Sequence, residues 1–217
     1  MTTTSRIAHA LYPNAEIRNE GYEKTPTTRL FDAAVGNVPF GDYALYDPAN
    51  NPGEHSIHNH FIIKALAQTK PGGYVAVLTS HHTLDAKNPS ARRDMYERAD
   101  LISAIRLPSG AHEQTADTQV VTDLLVFRVR KDGEEPRAFT WEHAHSHVLA
   151  PEATPVAIND AIMSRPDRVI GTMSATRGLY GAVGLHVAST TDASTIAAQI
   201  TSRLDQDLTQ ATIEGLA

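Results

Sequence analysis

Along residues 1–131 of this chain, segments with a continuous apolar run alternate with segments in which apolar residues recur every three or four positions. Continuous apolar runs of about four to eight residues are typical of strands in a parallel sheet, whereas apolar positions every three or four residues are typical of helices. The apolar runs predict strands at 15–17, 30–36, 73–79, 101–107 and 120–130. The helical spacing predicts helices at 5–12, 56–68 and 89–99. This alternation predicts an α/β fold in which strands 30–36 and 73–79 are parallel neighbours. The last two strands should pair antiparallel, because no helix separates them.

The remaining residues have a weaker periodicity. A charged turn at 131–136 predicts a division into residues 1–131 and a C-terminal extension, residues 132–217. Little periodicity is visible between 137 and 186, but a terminal helix is predicted over 192–216. Its apolar face would carry Ile196, Ile200, Leu204 and Leu208, which recur at a spacing of four.

The composition is that of an ordinary globular protein, with 41% hydrophobic and 20% charged residues. The absence of cysteine excludes disulfides and thiolate metal sites, and it fits a reducing cytoplasm. No apolar run is long enough to cross a membrane, and the first residues do not resemble a signal peptide, so we expect a cytoplasmic protein without a membrane partner. A net charge of −6 indicates that any binding to DNA is local or depends on a partner region.

The most informative segment is the tetrapeptide Asn37-Val38-Pro39-Phe40, which follows the apolar strand at 30–36. Ligands of open α/β sheets bind beyond the carboxyl ends of the strands, so the tetrapeptide lies where a reaction is expected. Pro39 has a fixed φ and forces the residue before it into an extended conformation. The backbone carbonyl of Val38 should therefore point in a fixed direction.

These residues could bind a planar amino group. The Asn37 side chain and the Val38 carbonyl provide two acceptors for the two hydrogens of an NH₂ group. Such binding favours a tetrahedral, more nucleophilic nitrogen, and the Phe40 ring provides a face for stacking. A base with an exocyclic amine, flipped out of a nucleic acid helix, meets all three conditions.

The tetrapeptide resembles the Asn-Pro-Pro-aromatic motif of amino-methyltransferases that act on adenine. The form with valine, followed by Gly41, resembles the methylase domain of the large helicase–methyltransferase proteins of phages, plasmids and mobile elements. Further segments resemble this family in the same order along the chain. They are IAHALYPNAEI, GYEKT, FDAAVGNVPFG, LAQTKPGGYVAVLTS, NPSARRDMYERADLISAIRLPSGAH, TDLLVFRVR and PDRVIGTMSATRGLYG.

The resemblance implies a Rossmann-like methyltransferase sheet, mostly parallel with a final antiparallel strand, and S-adenosylmethionine as the cofactor. It implies that Asn37 and the Val38 carbonyl hold the adenine amine, with Pro39 stiffening the loop and Phe40 stacking on the base. Tyr22, together with Asn37, would border the cofactor. His112 stands where the family often carries a phenylalanine beside the target base, and Val38 replaces the more common proline.

The resemblance also implies that the N-terminal strands of this sheet are missing from the 217 residues. A complete enzyme has a first strand with a glycine-rich turn for the methionine end of the cofactor, and a second strand ending in an acid for the ribose. MTTTSRIAHALYP resembles the helix after that acid. In the family's sheet order 3-2-1-4-5-7-6, the strand at 30–36 would then have an uncovered apolar edge. We therefore expect an incomplete cofactor site and, as partners, DNA and either a helicase region or an upstream cofactor-binding half in another chain.

Several histidines and arginines were weighed as additional functional residues. The groups are His55, His58 and His60 at a helix start; His81 and His82 near the predicted cleft; His143, His145 and His147 on a possible strand; and Arg92, Arg93 and Arg98 on the polar helix. The alternating trio could hold a metal, but no acid or cysteine completes the set, so we predict a solvated strand face and no metal site. For His81 and His82, two interpretations remain open: a role beside the substrate, or a place in a loop without a functional role. The arginines are interpreted as a solvated helix face.

Two classes of function are compatible with this sequence. The first is a catalytic-loop fragment of a DNA adenine-N6 methyltransferase that is inactive alone. The second is a non-catalytic remnant or a module that binds DNA or a partner. A methyltransferase for RNA or for protein glutamine is a minor alternative, because related tetrapeptides bind those amines too.

Overall fold

The computed structural model describes residues 2–109, 120–177 and 183–216. Six α-helices are present in these ranges: α1 Thr3–Leu11, α2 Ile57–Ala67, α3 His82–Asp85, α4 Ser90–Tyr96, α5 Asp160–Met163 and α6 Ala193–Ile213. Eight strands accompany them: β1 Phe31–Asn37, β2 Thr69–Ser80, β3 Ala99–Arg106, β4 Thr122–Val129, β5 Ala144–His147, β6 Val156–Asn159, β7 Thr172–Arg177 and β8 Val183–Ala188. The chain is thus a mixed α/β protein. No helix of the described residues is long and apolar enough to cross a membrane.

The main sheet has four strands in the order β1-β2-β4-β3. β1 is parallel to β2, whereas β4 is antiparallel to both β2 and β3, so three strands run in one direction and β4 in the other. The predicted parallel neighbours and the predicted antiparallel pair are therefore confirmed. The helix α2 provides the crossover that a parallel pair requires.

Helices cover both faces of this sheet. Side chains of β2 and β4 alternate between the two faces, as the pleat of a strand requires. One face packs on α2 and α4 through Val75, Val77, Leu125, Phe127, Ile62, Leu66 and Met95. The other face packs on α6 through Ile102, Ile105, Val126, Leu204, Leu208 and Ala211.

The residues after 131 form two hairpins, β5–β6 and β7–β8, followed by α6. The hairpins were not predicted, because their strands are short and lack a clear alternation. The terminal helix was predicted, and Asp192 caps it by accepting a hydrogen bond from the Thr195 amide at 2.9 Å. Trp141, Val156 and Ile158 belong to the same hydrophobic core as β2 and β4. The division at residue 131 stays a prediction.

Some predicted elements differ from the structure. Residues 15–17 do not form a strand, and no described strand runs beside them to supply backbone partners. Glu16 instead pairs with Arg18 and Arg29 at the surface. The predicted helix over 89–99 ends at Tyr96, because the chain turns there into β3.

β1 is the edge strand of the sheet, and most of its side chains are exposed. Val35 is 84% exposed and Phe31 is 42% exposed. The reason is that no strand in the described ranges pairs with its outer edge, and α6 packs over the other three strands. The expected uncovered apolar edge is therefore present in these ranges, and such an edge is a surface for strand pairing.

Candidate functional site

The tetrapeptide of residues 37–40 lies at the carboxyl end of β1. Asn37 is the last residue of the strand and pairs with Leu78, and the Val38 amide continues the ladder by donating to the Leu78 carbonyl at 3.1 Å. The Val38 side chain is anchored in the core, whereas Asn37 is exposed and Phe40 is 38% exposed. The buried valine thus fixes the turn and leaves the asparagine and the aromatic ring available to a ligand.

A second aromatic ring lies beside the tetrapeptide. A Cβ atom added to Gly41 would lie 2.6 Å from a ring carbon of Tyr43, so glycine at this position allows the ring to pack on the backbone. Tyr43 is 56% exposed. Phe40 and Tyr43 therefore flank the turn with two accessible aromatic side chains, which suits a planar ligand.

Three histidines lie near the same end of the sheet. The rings of His81 and His82, which follow β2, are 4.0 Å apart between centroids, and His58 accompanies them from the first turn of α2. The surrounding protein, and then His81, lower the pKa of His82 to about 4, although part of its ring is exposed. Burial also lowers the pKa of His58. His58 and His82 are therefore neutral near pH 7.

A buried ion network lies beneath these histidines. The Arg106 guanidinium donates to Asp123 at 2.8 and 2.9 Å and contacts Asp85 at 2.9 Å. His81 Nδ1 lies 2.9 Å from the Asp85 carboxylate. Burial raises the pKa of Asp85, but the charge of Arg106 and the contacts with His81 outweigh it and lower the pKa overall. This network could not be predicted from the sequence, because its members come from separate elements.

Tyr22 contacts α2 rather than the tetrapeptide. Its hydroxyl donates to the Gln68 side chain at 2.7 Å, and its ring lies 4.6 Å from the Phe61 ring. Gln68 also accepts the backbone hydrogen bond of Phe31, the first residue of β1. The hydroxyl therefore lies near the amino end of β1, whereas Asn37 lies at its carboxyl end. The cofactor role of Tyr22 stays a prediction.

A buried carboxylate holds the loop after the tetrapeptide against α2. Asp47 accepts hydrogen bonds from Lys64 at 2.7 Å and from His60 at 3.0 Å, and all three side chains are buried. Burial raises the pKa of Asp47, but the bonds from Lys64, His60 and Asn50 outweigh it and lower the pKa to about 2. This contact fixes the start of the helix that carries His58.

The network around Asp47 should make the protein sensitive to acid. Because the folded pKa of Asp47 is lowered from 3.8 to about 2, its contribution is complete above about pH 4 and lost as the pH falls toward 2. The size is about 2 kcal/mol, at about 1.4 kcal/mol per pKa unit. Urea unfolding at pH 5 and pH 2 should show Asp47→Asn losing less stability over this range than the unchanged chain, by about that amount. Asp132→Asn, at an exposed turn, is the control and should follow the unchanged chain. An equal pH dependence in both variants would contradict the assignment.

The remaining candidate residues either lie outside the described ranges or contact other groups of the protein. His112 lies outside the described residues. His145 pairs with Asp160 at 2.7 Å, and within the described ranges no group of three histidine, aspartate, glutamate or cysteine side chains could hold a metal. Arg92 was interpreted as solvated, which is wrong: it is 1% exposed and donates to three backbone carbonyls. Arg93 does lie at the surface, paired with Glu142.

No family model matches this chain. The chain is 28% identical over 134 residues to "Defense against restriction protein B" of Escherichia phage P1, a match that covers 58% of the chain. It spans only 6% of the length of this curated relative. The activity of the whole relative is therefore not established for this chain.

Three solved structures show a partial likeness. A chain of a type I restriction-modification system has a TM-score of 0.47 and 19% identity, covering 53% of this chain and 25% of that one. The EcoKI M protein of a type I restriction enzyme has a TM-score of 0.38 and 16% identity, covering 87% and 50%. N-methyltransferase NodS from Bradyrhizobium japonicum has a TM-score of 0.37 and 14% identity, covering 60% and 70%. All three scores are low, so no functional conclusion is drawn from them.

Proposed function

We propose that this chain carries the catalytic loop of an S-adenosylmethionine-dependent DNA methyltransferase that modifies the N6 amine of adenine. The observation that carries the proposal is the tetrapeptide 37–40 at the carboxyl end of a parallel strand, with Val38 anchored and Asn37 exposed. This arrangement offers two acceptors to one amino group beside the face of Phe40. Val38 contributes its carbonyl, and Pro39 stiffens the turn.

The sheet supports the same proposal. Its order β1-β2-β4-β3, with β4 antiparallel, is the order that the resemblance implies for the fourth, fifth, seventh and sixth strands of such a methyltransferase. The phage relative, whose printed name concerns defence against restriction, is compatible with a role in DNA modification. The substrate-base pocket would include Phe40 and, by resemblance, His112. Because the net charge is −6, DNA would be bound together with a partner region, which could be a helicase, in the cytoplasm.

The residues present fit the amine-binding part of this site better than the cofactor part. Before Gly36 the chain contains one glycine, Gly21, and the Glu23 carboxylate lies 2.2 Å from where a Cβ of Gly21 would stand. That position is therefore filled by a side chain and does not form an open turn around a ligand. S-adenosylmethionine would supply the methyl group, with Asn37, and by resemblance Tyr22, on one border of its site. The remaining contacts would come from another region.

The exposed edge of β1 favours a second candidate function, a non-catalytic module that binds a partner by strand pairing. Val35 and Phe31 offer apolar side chains on this edge. Both candidates expect a partner at β1, but only the methyltransferase requires the Asn37 side chain and the Val38 carbonyl as acceptors.

Reconstitution separates the two candidates. A polypeptide of these 217 residues alone should not bind S-adenosylmethionine measurably and should not methylate DNA, because the contacts for both ends of the cofactor are lacking in it. Adding a strand, glycine-rich turn, helix and strand, fused upstream or as a separate chain, should restore folding at β1, cofactor binding and methylation. Calorimetry with the cofactor, and methyl incorporation into adenine of duplex DNA, measure these outcomes.

Two results would contradict the proposal. One-to-one micromolar binding of the cofactor by the 217 residues alone would show that their cofactor site is complete. A reconstituted protein that folds and binds the cofactor, but transfers no methyl group to DNA, would favour the partner-binding module. The control is the same upstream segment without residues 1–217, which should be inactive.

A further inference from the structure

A cavity of about 460 Å³ lies at the carboxyl end of β2. His81, His82 and Asp85 form its polar side, and apolar residues of the neighbouring strands form the rest, among them Val121, Val156 and Leu185. A nucleobase has flat faces and polar edges, so a cavity that offers both apolar side chains and polar groups suits it. The cavity is therefore a candidate for part of the base site.

Asp85 fixes the protonation pattern of the His81 ring. The carboxylate lies 2.9 Å from Nδ1 of His81, 2.9 Å from Arg106, and accepts the Asn159 amide at 2.8 Å. An ionised carboxylate only accepts hydrogen bonds, so Nδ1 carries a hydrogen, and in the neutral form of the ring the lone pair lies on Nε2. Among the described residues no hydrogen bond reaches Nε2, which leaves it free to accept a proton.

The His81–His82 pair also belongs to the neighbourhood of the tetrapeptide. Backbone pairing continues from Asn37 and Leu78 to Val38, and His81 follows β2 three residues after Leu78. The charge of Asp42 acts on both His82 and His58, and the Gly41 backbone lies next to His58. The charged and titratable groups near His81 are Asp85, which its Nδ1 contacts, Arg106, which binds the same carboxylate, and the neighbouring His82 and His58.

The proposed reaction needs a base that the tetrapeptide does not contain. An amine nitrogen that has gained a methyl group from a sulfonium donor carries a positive charge and a surplus proton. Asn37 and the Val38 carbonyl accept hydrogen bonds but do not take up protons near neutral pH. The neutral product therefore forms when a separate acceptor, a side chain or water, takes this proton, and a positioned side chain accelerates the step.

We propose, resting on the function proposed above, that His81 is this proton acceptor. The N–H bond of the methylated amine breaks, its electron pair stays on nitrogen, and the proton forms an N–H bond at Nε2 of His81. The positive charge then lies on the imidazolium, next to the Asp85 carboxylate, which stabilises it. The proton leaves to solvent through the open side of the cavity.

The first test is nuclear magnetic resonance on the reconstituted protein, with ¹⁵N-labelled histidine in residues 1–217. The His81 ring should show the hydrogen on Nδ1, and Asp85→Asn should change this pattern. Millimolar deoxyadenosine should move the His81 signals together with those of residues 37–41. Purine deoxyriboside, which lacks the amine, should bind at least about tenfold more weakly, because both hydrogen bonds of the amine are lost. A hydrogen on Nε2 in the unchanged chain would overturn the proposal.

The second test uses the reconstituted enzyme. His81→Ala should lose about a hundredfold or more in methylation rate, and added imidazole should restore part of it, which a merely structural role would not allow. His143→Ala, at an exposed histidine, should keep full activity. If the unchanged enzyme methylates adenine and His81→Ala remains near normal, His81 is not the base and the proposed function stands. If the unchanged enzyme is inactive and deoxyadenosine moves no signal at 37–41, both proposals are wrong.

Discussion

Asn37→Ala should lower adenine methylation by the reconstituted enzyme at least about a hundredfold, the usual cost of removing one preorganised hydrogen-bonding group from a catalytic site. The side-chain oxygen of Asn37 is one of the two proposed acceptors for the amine, and alanine cannot replace it. The side chain is exposed at the end of β1. The fold and the unfolding midpoint should therefore remain nearly unchanged.

Asp32→Ala provides the matched control, since Asp32 lies on the same strand and, among the described residues, forms an ion pair only with the exposed Lys70. Its methylation rate should stay within about twofold of the unchanged enzyme, because an exposed ion pair contributes little to stability. Steady-state rates and circular dichroism of both variants give the answer. Near-normal methylation by Asn37→Ala, in a folded protein, would remove the central residue of the proposed mechanism.

Arg106→Leu should destabilise the fold by about 3–5 kcal/mol, the range for breaking a buried ion pair by removing one partner. Arg106 and Asp123 are both fully buried, and Asp85 is nearly so. Leucine would leave two buried carboxylates without their cation. Urea unfolding at neutral pH measures this loss as a shift of the midpoint with little change in slope.

Arg93→Leu is the control for Arg106→Leu. Arg93 also pairs with a carboxylate, Glu142, but its side chain is 58% exposed. Its replacement should cost less than about 1 kcal/mol. A combined replacement of Arg106 and Asp123 by leucine should be less damaging than expected from the two single changes, because it removes a charge together with its partner. Similar losses of folding stability in Arg93→Leu and Arg106→Leu would show that burial does not determine the cost of breaking these ion pairs.

The sequence correctly predicted the strands of the main sheet, whose residues show a clear hydrophobic pattern. β1, β2, β3 and β4 lie near the predicted positions and pair as expected, because their apolar runs are long and the connections limit the topology. The strand predicted at 15–17 was wrong, since a short apolar run becomes a strand only beside a partner strand. The hairpins after residue 131 were missed for the same reason, because their strands are defined by pairing more than by local pattern.

The candidate site was predicted where one continuous segment carries the chemistry. Residues 37–40 follow a strand, so their place at its carboxyl end could be inferred without coordinates. The contacts among Asp85, Arg106 and His81 could not be predicted, because residues distant in sequence meet there through the sheet order. Arg92 illustrates the same limit: its spacing on a polar helix suggested solvent, and its side chain instead binds carbonyls inside the protein.

The contacts of Asp85 restrict which segments of this chain could be replaced by recombination with related genes. One carboxylate accepts hydrogen bonds from the end of β2, from β3 and from the Asn159 amide. Recombination near residue 131 would separate Asn159 from the other two donors and leave a buried acceptor only partly satisfied. A new C-terminal segment would have to bring its own donor to that point. The residues on both sides of the charged turn are thus expected to be inherited together, even where a sequence comparison alone would suggest that they are interchangeable modules.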